Sequence, residues 1–254
     1  MRLQTKLLFG ILIINSSFLS LKAALAEDKS IVRAPKASSP IPDEILRRVD
    51  AIRCPESSFV MEVDIEARQK DELVKLEVYT KGRDKTRINT LLPVRDKKRS
   101  MIMKGDDVWA YVPNLKRPVL VSMSQRVAGE TALADVSRMR WWQDYTATLD
   151  SEDEKFWNLM LQANRKKLPY KQIKVQIEKT SFRPVQADYL SPSGRVLKRA
   201  KFGGYKMIAG ASRPTEVIFE NIVVPSKSST LRILKLEEKE VPDAFFDEKN
   251  LGAP

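Results

Sequence analysis

The side chains that most often carry chemistry are scarce in these 254 residues: there is no histidine and one cysteine, Cys54. Without an imidazole there is no Ser-His or Cys-His nucleophile, no HExxH zinc site and no common general base near neutral pH. Cys54 has no partner for an internal disulfide. With nothing to activate it, its thiol reads as a small buried apolar group. Carboxylates are plentiful, 33 Asp and Glu in all, but no paired acidic motif stands out. The chain is therefore not expected to be an enzyme, and no catalytic residue, metal ligand set or cofactor is assigned to it.

Charge points to partners instead. Lys and Arg number 45, for a net charge of +12. Such a balance suits anionic lipid surfaces, nucleic acid or an acidic protein. The basic residues are dispersed, with short clusters at Asp96-Lys97-Lys98-Arg99 and Arg165-Lys166-Lys167 that read as solvated surface. No aromatic-basic nucleic-acid motif accompanies them, so no nucleic-acid partner is expected.

The elements that would position any site follow from hydrophobic periodicity. Pro42-Asp43-Glu44 opens a short helix whose apolar face is Ile45, Leu46, Val49 and Ile52, and Pro55 ends it. Beyond it the period becomes two. Phe59 to Ala67, Val74 to Val78, Ile88 to Leu92, Met101 to Met103, Val108 to Val112 and Val119 to Met123 alternate apolar with polar. After an irregular stretch, Ala128 to Arg140, with a short helix expected within Thr131 to Met139, alternation resumes. It runs through Tyr145 to Leu149, Phe156 to Ala163, Ile173 to Ile177, Val185 to Tyr189, Val196 to Phe202, Glu216 to Val223 and Leu231 to Leu236. One apolar face per strand predicts an antiparallel sheet covered on one side. About eleven strands are more than a flat sheet usually holds, so a single strongly curved sheet, a half-barrel with short capping helices, is expected.

The N-terminus reads as an export signal. Arg2 and Lys6 precede an apolar run from Leu7 to Leu21, and Ala24-Leu25-Ala26 supplies a small-x-small cleavage site. The run is short and polar in its middle, against the roughly 20 apolar residues a spanning helix needs. Cleavage after Ala26 would remove Arg2, Lys6 and Lys22 and leave 228 residues carrying +9. Residues 27–41, with Pro35 and Pro40, read as a flexible linker, and 42–254 as one domain. A monomer outside the cytoplasm, in the periplasm, is expected.

Several segments resemble the LolA-like outer-membrane lipoprotein-sorting family. Lys104-Gly105-Asp106-Asp107-Val108-Trp109-Ala110-Tyr111-Val112-Pro113 resembles its "DGD-x-W-x-Y-x-P" strand pair. Asn114-Leu115-Lys116-Arg117 looks like the turn that follows, and Ser122 to Arg126 like its "I-x-x-S-x-R" stretch. Ile173 to Ile177 with Phe182 to Tyr189, then Ser193 to Lys198 with Gly204-Tyr205-Lys206, are similar to its later hairpins, and Phe245-Phe246 to its closing motif. Where the family often carries "G-S-x-F-S-Y-x-D-L", this chain reads Gly129-Glu130-Thr131-Ala132-Leu133-Ala134-Asp135-Val136.

The resemblance implies a curved sheet wrapped around a helix, with a hydrophobic cavity for the acyl chains of lipids or lipoproteins. It also suggests service to an inner-membrane transporter of the RND type. The residues beside it are compatible with a deformable apolar pocket: Met61, Met101, Met103 and Met123 on neighbouring strands, Trp109 and Tyr111 on one face of theirs, and Trp141 and Trp142 beside the irregular segment, where a lid could form. Each serves equally well as ordinary core. Because both faces of the Trp109 strand are apolar, one needs cover from a cap or a ligand. The alternative is a periplasmic signalling or interaction module of the same fold, sensing envelope state or assisting a transporter.

Overall fold

The computed structural model describes residues 41–69, 72–97, 99–112 and 117–251. The expected signal peptide, residues 1–26, and all of the linker but Ile41 lie outside the described residues. So does Asn114-Leu115-Lys116 of the turn in the family motif.

Helix α1 spans Pro42–Arg53. Proline at the first position has no N–H to orphan, and Asp43 and Glu44 oppose the positive end of the helix dipole. Its buried face is Ile45, Leu46, Val49, Asp50 and Arg53. The last carbonyls are not left open: Arg213 Nη1 donates to Ala51 O at 2.7 Å and Ile52 O at 3.1 Å.

Every run of alternating residues becomes a strand. The strands are β1 (Phe59–Ala67), β2 (Glu72–Lys81), β3 (Lys85–Leu92), β4 (Ser100–Lys104), β5 (Asp107–Tyr111) and β6 (Pro118–Val121). Two short pieces, β7 (Arg126–Ala128) and β8 (Thr131–Ala132), precede helix α2 (Leu133–Ser137). Then come β9 (Tyr145–Glu152), β10 (Phe156–Ala163), β11 (Gln172–Glu178), β12 (Pro184–Leu190), β13 (Val196–Gly203), β14 (Lys206–Ile208), β15 (Ala211–Arg213), β16 (Glu216–Asn221) and β17 (Ser228–Glu238).

One antiparallel sheet of thirteen strands runs in the order β6-β5-β4-β3-β2-β1-β17-β16-β13-β12-β11-β10-β9, and β7-β8 and β14-β15 are small separate hairpins. Pairing of β1 with β17 joins the first and last long strands at the centre, with Met61 opposite Leu236 and Ile65 opposite Leu231. The mainly β, LolA-like architecture matches the expectation. One detail is corrected: thirteen strands replace about eleven, because each of the thirteen alternating runs makes its own ladder in the one sheet. The sheet is open, with β6 and β9 as its two edges.

The main core lies between one face of this sheet, α1 and residues 122–142. A second, smaller core lies on the other face: Ile102, Val241, Phe246 and Leu251, with Tyr79, Trp109, Tyr111 and Phe245 packed against it. The C-terminal residues fold back over β2 to β5 to make it. Lys81 Nζ donates to Val241 O at 3.0 Å and Arg87 Nη1 to Phe245 O at 3.2 Å.

Candidate ligand site beneath the strap

Residues 122–142 cross the inner face of the sheet as a strap, carrying β7, β8 and α2. Its seat depends on Gly129. That residue has φ of 52°, and a Cβ there would lie 2.9 Å from both Ala67 Cβ on β1 and Ser229 Cβ on β17. Only glycine allows both the left-handed backbone and the close approach.

Buried polar groups add to the apolar packing of Met123, Leu133, Val136 and Trp141 in fastening the strap. Thr131 Oγ1 and Ser229 Oγ are 2.8 Å apart, and Glu130 N donates to Ser229 Oγ at 3.2 Å. Thr86 Oγ1 on β3 donates to Ser137 O at 2.8 Å. Arg138 pairs with Asp144 at 2.7 Å and Asp106 at 3.2 Å. Asp50 on α1 accepts from the N–H groups of Trp141 and Trp142, each at 2.7 Å, and sits 3.4 Å from Arg53. Burial raises the Asp50 carboxyl from 3.8 to about 6, against the pull of Arg53 and of those two N–H groups.

The tightest fastening is Asp135 with Lys198. Lys198 Nζ lies 2.6 Å from Asp135 Oδ2 and 2.5 Å from Tyr170 Oη, and Tyr170 Oη donates to Asp135 Oδ1 at 3.1 Å. The ammonium also sits 4.6 to 4.7 Å from the ring centres of Tyr170, Tyr189 and Phe219. Burial lowers the Lys198 pKa, opposed by Asp135, and burial raises the Tyr170 and Tyr189 hydroxyls. Two strap atoms, Ser137 Oγ and Arg138 Nε, are buried without a hydrogen-bond partner among the described residues. A polar network that is only partly satisfied holds less firmly than apolar packing would.

Beneath the strap lies a mainly apolar cavity of about 50 Å³, with Asp135, Arg138 and Arg140 also on its wall. Its walls include Ala134, Val136, Met139 and Trp141 from the strap, Met61 from β1, Phe202 from β13, Phe219 from β16 and Leu231 and Ile233 from β17. Arg53 stacks 3.6 Å over the Trp141 ring at one end. The space suits a few waters; an acyl chain fits only if the strap moves.

The residues singled out by sequence divide in four. Met61 and Trp141 line the cavity. Met103 and Met123 are buried in the main core with Met101 packed against it, and Met101 also borders a second hollow of about 210 Å³ between the strap and β2 to β6. Trp142 packs against the main core and faces a neighbouring cleft. Trp109 and Tyr111 are on the opposite face, where the cover their strand required is this chain's own C-terminal segment.

Sequence reasoning missed Asp50, Asp135, Lys198 and Ser229. A signal existed for two of them. Asp50 stands four residues after Leu46, on the apolar face of α1, and Lys198 shares strand parity with buried Ala200. A charge at a core position is the mark of a buried pair. Among the described residues no group of three His, Cys, Asp or Glu side chains could hold a metal.

Comparison with known proteins follows the geometry. A protein-family model described as "-like: Uncharacterized protein" matches residues 82–253. Curated protein sequences give no match. Among solved structures, the chain is similar to a LolA superfamily protein, NE2245 of Nitrosomonas europaea: 28% identity, TM-score 0.78, covering 84% of this chain and 100% of that one. A putative outer membrane lipoprotein-sorting protein domain from Vibrio parahaemolyticus shares 19% identity, with a TM-score of 0.68 and coverage of 83% and 98%. A DUF1329 family protein from Desulfovibrio piger shares 16%, with a TM-score of 0.71 and coverage of 84% and 100%. These last two speak for the fold. The chain belongs to the family whose model spans its residues 82–253, and it is a LolA-like protein.

Proposed function

We propose that this chain is an exported carrier that takes the acyl chains of lipids or lipoproteins into the apolar space beneath the strap. One observation carries the reading: a mainly apolar cavity closed by a segment whose seat includes buried polar contacts, two of its polar atoms unpaired among the described residues. Entry of a chain requires the strap to lift. Burying about 16 carbons is worth on the order of 12 kcal/mol at about 0.8 kcal/mol per methylene, which offsets the burial that strap residues such as Leu133, Val136 and Trp141 give up when it lifts. The latches cost on the order of 1 kcal/mol each to break when water replaces the lost partner. A ligand shifts such an equilibrium only by its preference for the open state, and the closed state's latches weaken net binding enough for release.

Support for export comes from the N-terminal sequence and from the absence, among the described residues, of any helix long and apolar enough to cross a membrane. The partner proposed for loading or unloading is an inner-membrane transporter of the RND type. No catalysis is proposed.

The test is organic extraction and mass spectrometry of the purified protein, with fluorescence of N-phenyl-1-naphthylamine as a binding probe. Co-purified lipid, or probe fluorescence that long-chain lipids displace, is expected. A protein that carries no lipid and takes up no probe sinks the reading. One observation favours the alternative of an interaction module: the cavity, at about 50 Å³, is nearly filled by side chains. A protein partner captured with no lipid would support it.

A further inference from the structure

Next to the strap cavity is a second hollow of different chemistry. A cleft of about 280 Å³ lies between α1, the turn after β2 and residues 140–143. Arg47, Arg83 and Arg140 line it. Arg47 is committed at the rim, with Nε and Nη2 at 2.9 and 3.0 Å from Glu44. The other two lack any anionic contact. Arg140 is held by neutral groups, its Nη1 donating to Gly82 O at 3.2 Å, its Nη2 to Pro55 O and its Nε facing Cys54 Sγ at 3.4 Å. Arg83 is half-buried and lies 5.5 Å over the Trp142 ring, and no hydrogen bond or ion pair engages its guanidinium among the described residues. Burial lowers its pKa. Asp144 and Asp50 oppose that shift without bonding to Arg83, so the half-buried guanidinium still has donors that a directly bound anion would satisfy.

The carboxylates of the cleft do not fill that role. Asp50 is engaged by Arg53 and the two tryptophan N–H groups, and Glu56 is exposed. The cleft and the strap cavity share Arg140, and consecutive residues face them: Trp141 the cavity, Trp142 the cleft. One backbone step of about 3.8 Å separates the two tryptophans, so the two spaces adjoin at Arg140 and residues 141–142.

We propose that this cleft binds the anionic head of an amphiphile, a phosphate monoester or a carboxylate, through Arg83 and Arg140, while its chain lies beneath the strap. The proposal rests on the carrier reading and adds the charge of the cargo. Arg83 supplies an open bidentate fork, and Arg140, already fixed by three neutral partners, supplies a preoriented charge. The chain in the cavity gives affinity, and the head in the cleft selects among lipids of equal chain length.

The experiment measures displacement of N-phenyl-1-naphthylamine from the purified protein by three palmitoyl lipids at low salt: 1-palmitoyl-lysophosphatidic acid, palmitate and 1-monopalmitoylglycerol. The two anions should bind about tenfold more tightly than the neutral lipid, the scale of one charge-assisted contact. Whichever anion is preferred identifies the acid. Arg83→Gln should bring the ratio towards one, Arg83→Lys should retain part of it, and Arg95→Gln, an equal loss of charge far from the cleft, should keep it. Unfolding midpoints guard against misfolded variants, and Arg140→Gln gives a second reading. Equal affinities for the three lipids, or a ratio unchanged in both Arg83→Gln and Arg140→Gln, overturn the head-group site and leave the carrier reading standing. Inorganic phosphate that binds by calorimetry while the lipids show no preference makes this a free-anion site and overturns it too. If no lipid, monopalmitoylglycerol included, displaces the probe, the carrier reading itself fails.

Discussion

At the scale of the residue, Asp50 is the side chain with the most to test. It is buried, yet it closes the gap between α1 and the strap through two N–H groups. Its folded-state pKa of about 6 is above the 3.8 of a free carboxyl, so the folded protein holds this proton more tightly than the unfolded chain does. Stability from this group is fully present below about pH 4 and is lost as pH rises to about 6. At about 1.4 kcal/mol per pKa unit the loss is on the order of 3 kcal/mol. Denaturant unfolding across pH 4 to 7 should show that decline in the native protein and little of it in Asp50→Asn. Parallel curves for the two would remove Asp50 from the account. Charged Asp50 is thus a strained fastening at neutral pH, whereas Lys198 is well furnished, with Asp135 and three rings around its ammonium.

At the scale of the element, the strap is the part that must move if the proposed carrier function holds. Its turn at Gly129 rests on β1 and β17, and Thr131 meets Ser229 there at 2.8 Å between hydroxyl oxygens. Contact between the two hydroxyls brings these side chains within reach of an engineered crosslink. The double variant Thr131→Cys with Ser229→Cys, oxidised, should stay folded and bind N-phenyl-1-naphthylamine at least tenfold more weakly than its reduced form, because a chain enters only when the strap lifts. Cys54, buried, is expected to stay out of the exchange. Equal probe binding by oxidised and reduced protein would show that this end of the strap does not open.

At the scale of the whole molecule, the open sheet has to be covered on two faces. The inner face receives α1 and the strap. The outer face of β2 to β5 receives the C-terminal residues, with Phe246 1% exposed and Phe245 edge-on to Tyr79 at 4.7 Å. This second core ties sequence-distant ends together, so it contributes to global stability instead of trimming an edge. Phe246→Ala should cost about 3 to 4 kcal/mol, as buried aromatic truncations do, measured as a lower midpoint in urea. A cost below about 1 kcal/mol would mean that the tail is only a peripheral cap.

The alternation of Phe59, Met61, Val63, Ile65 and Ala67, and of its counterparts along the chain, was enough to place every strand of the large sheet. Side-chain parity in a strand is a local property with a period of two. The helix at Pro42 was legible for the same reason, through proline, acids and an apolar stripe. What alternation could not say is which partner covers a face. Trp109 and Tyr111 have the same sequence signature whether a ligand or Phe246 lies over them, and the choice belongs to residues more than a hundred positions away. The fastenings of the strap are equally non-local: Asp135 with Lys198, Thr131 with Ser229, Asp50 with Trp141. Sequence alone therefore determined a curved antiparallel sheet in a chain that has no histidine. Tertiary structure decided where its apolar space lies and what closes it, because burial of a charge or an aromatic ring is settled by the chain that arrives opposite it.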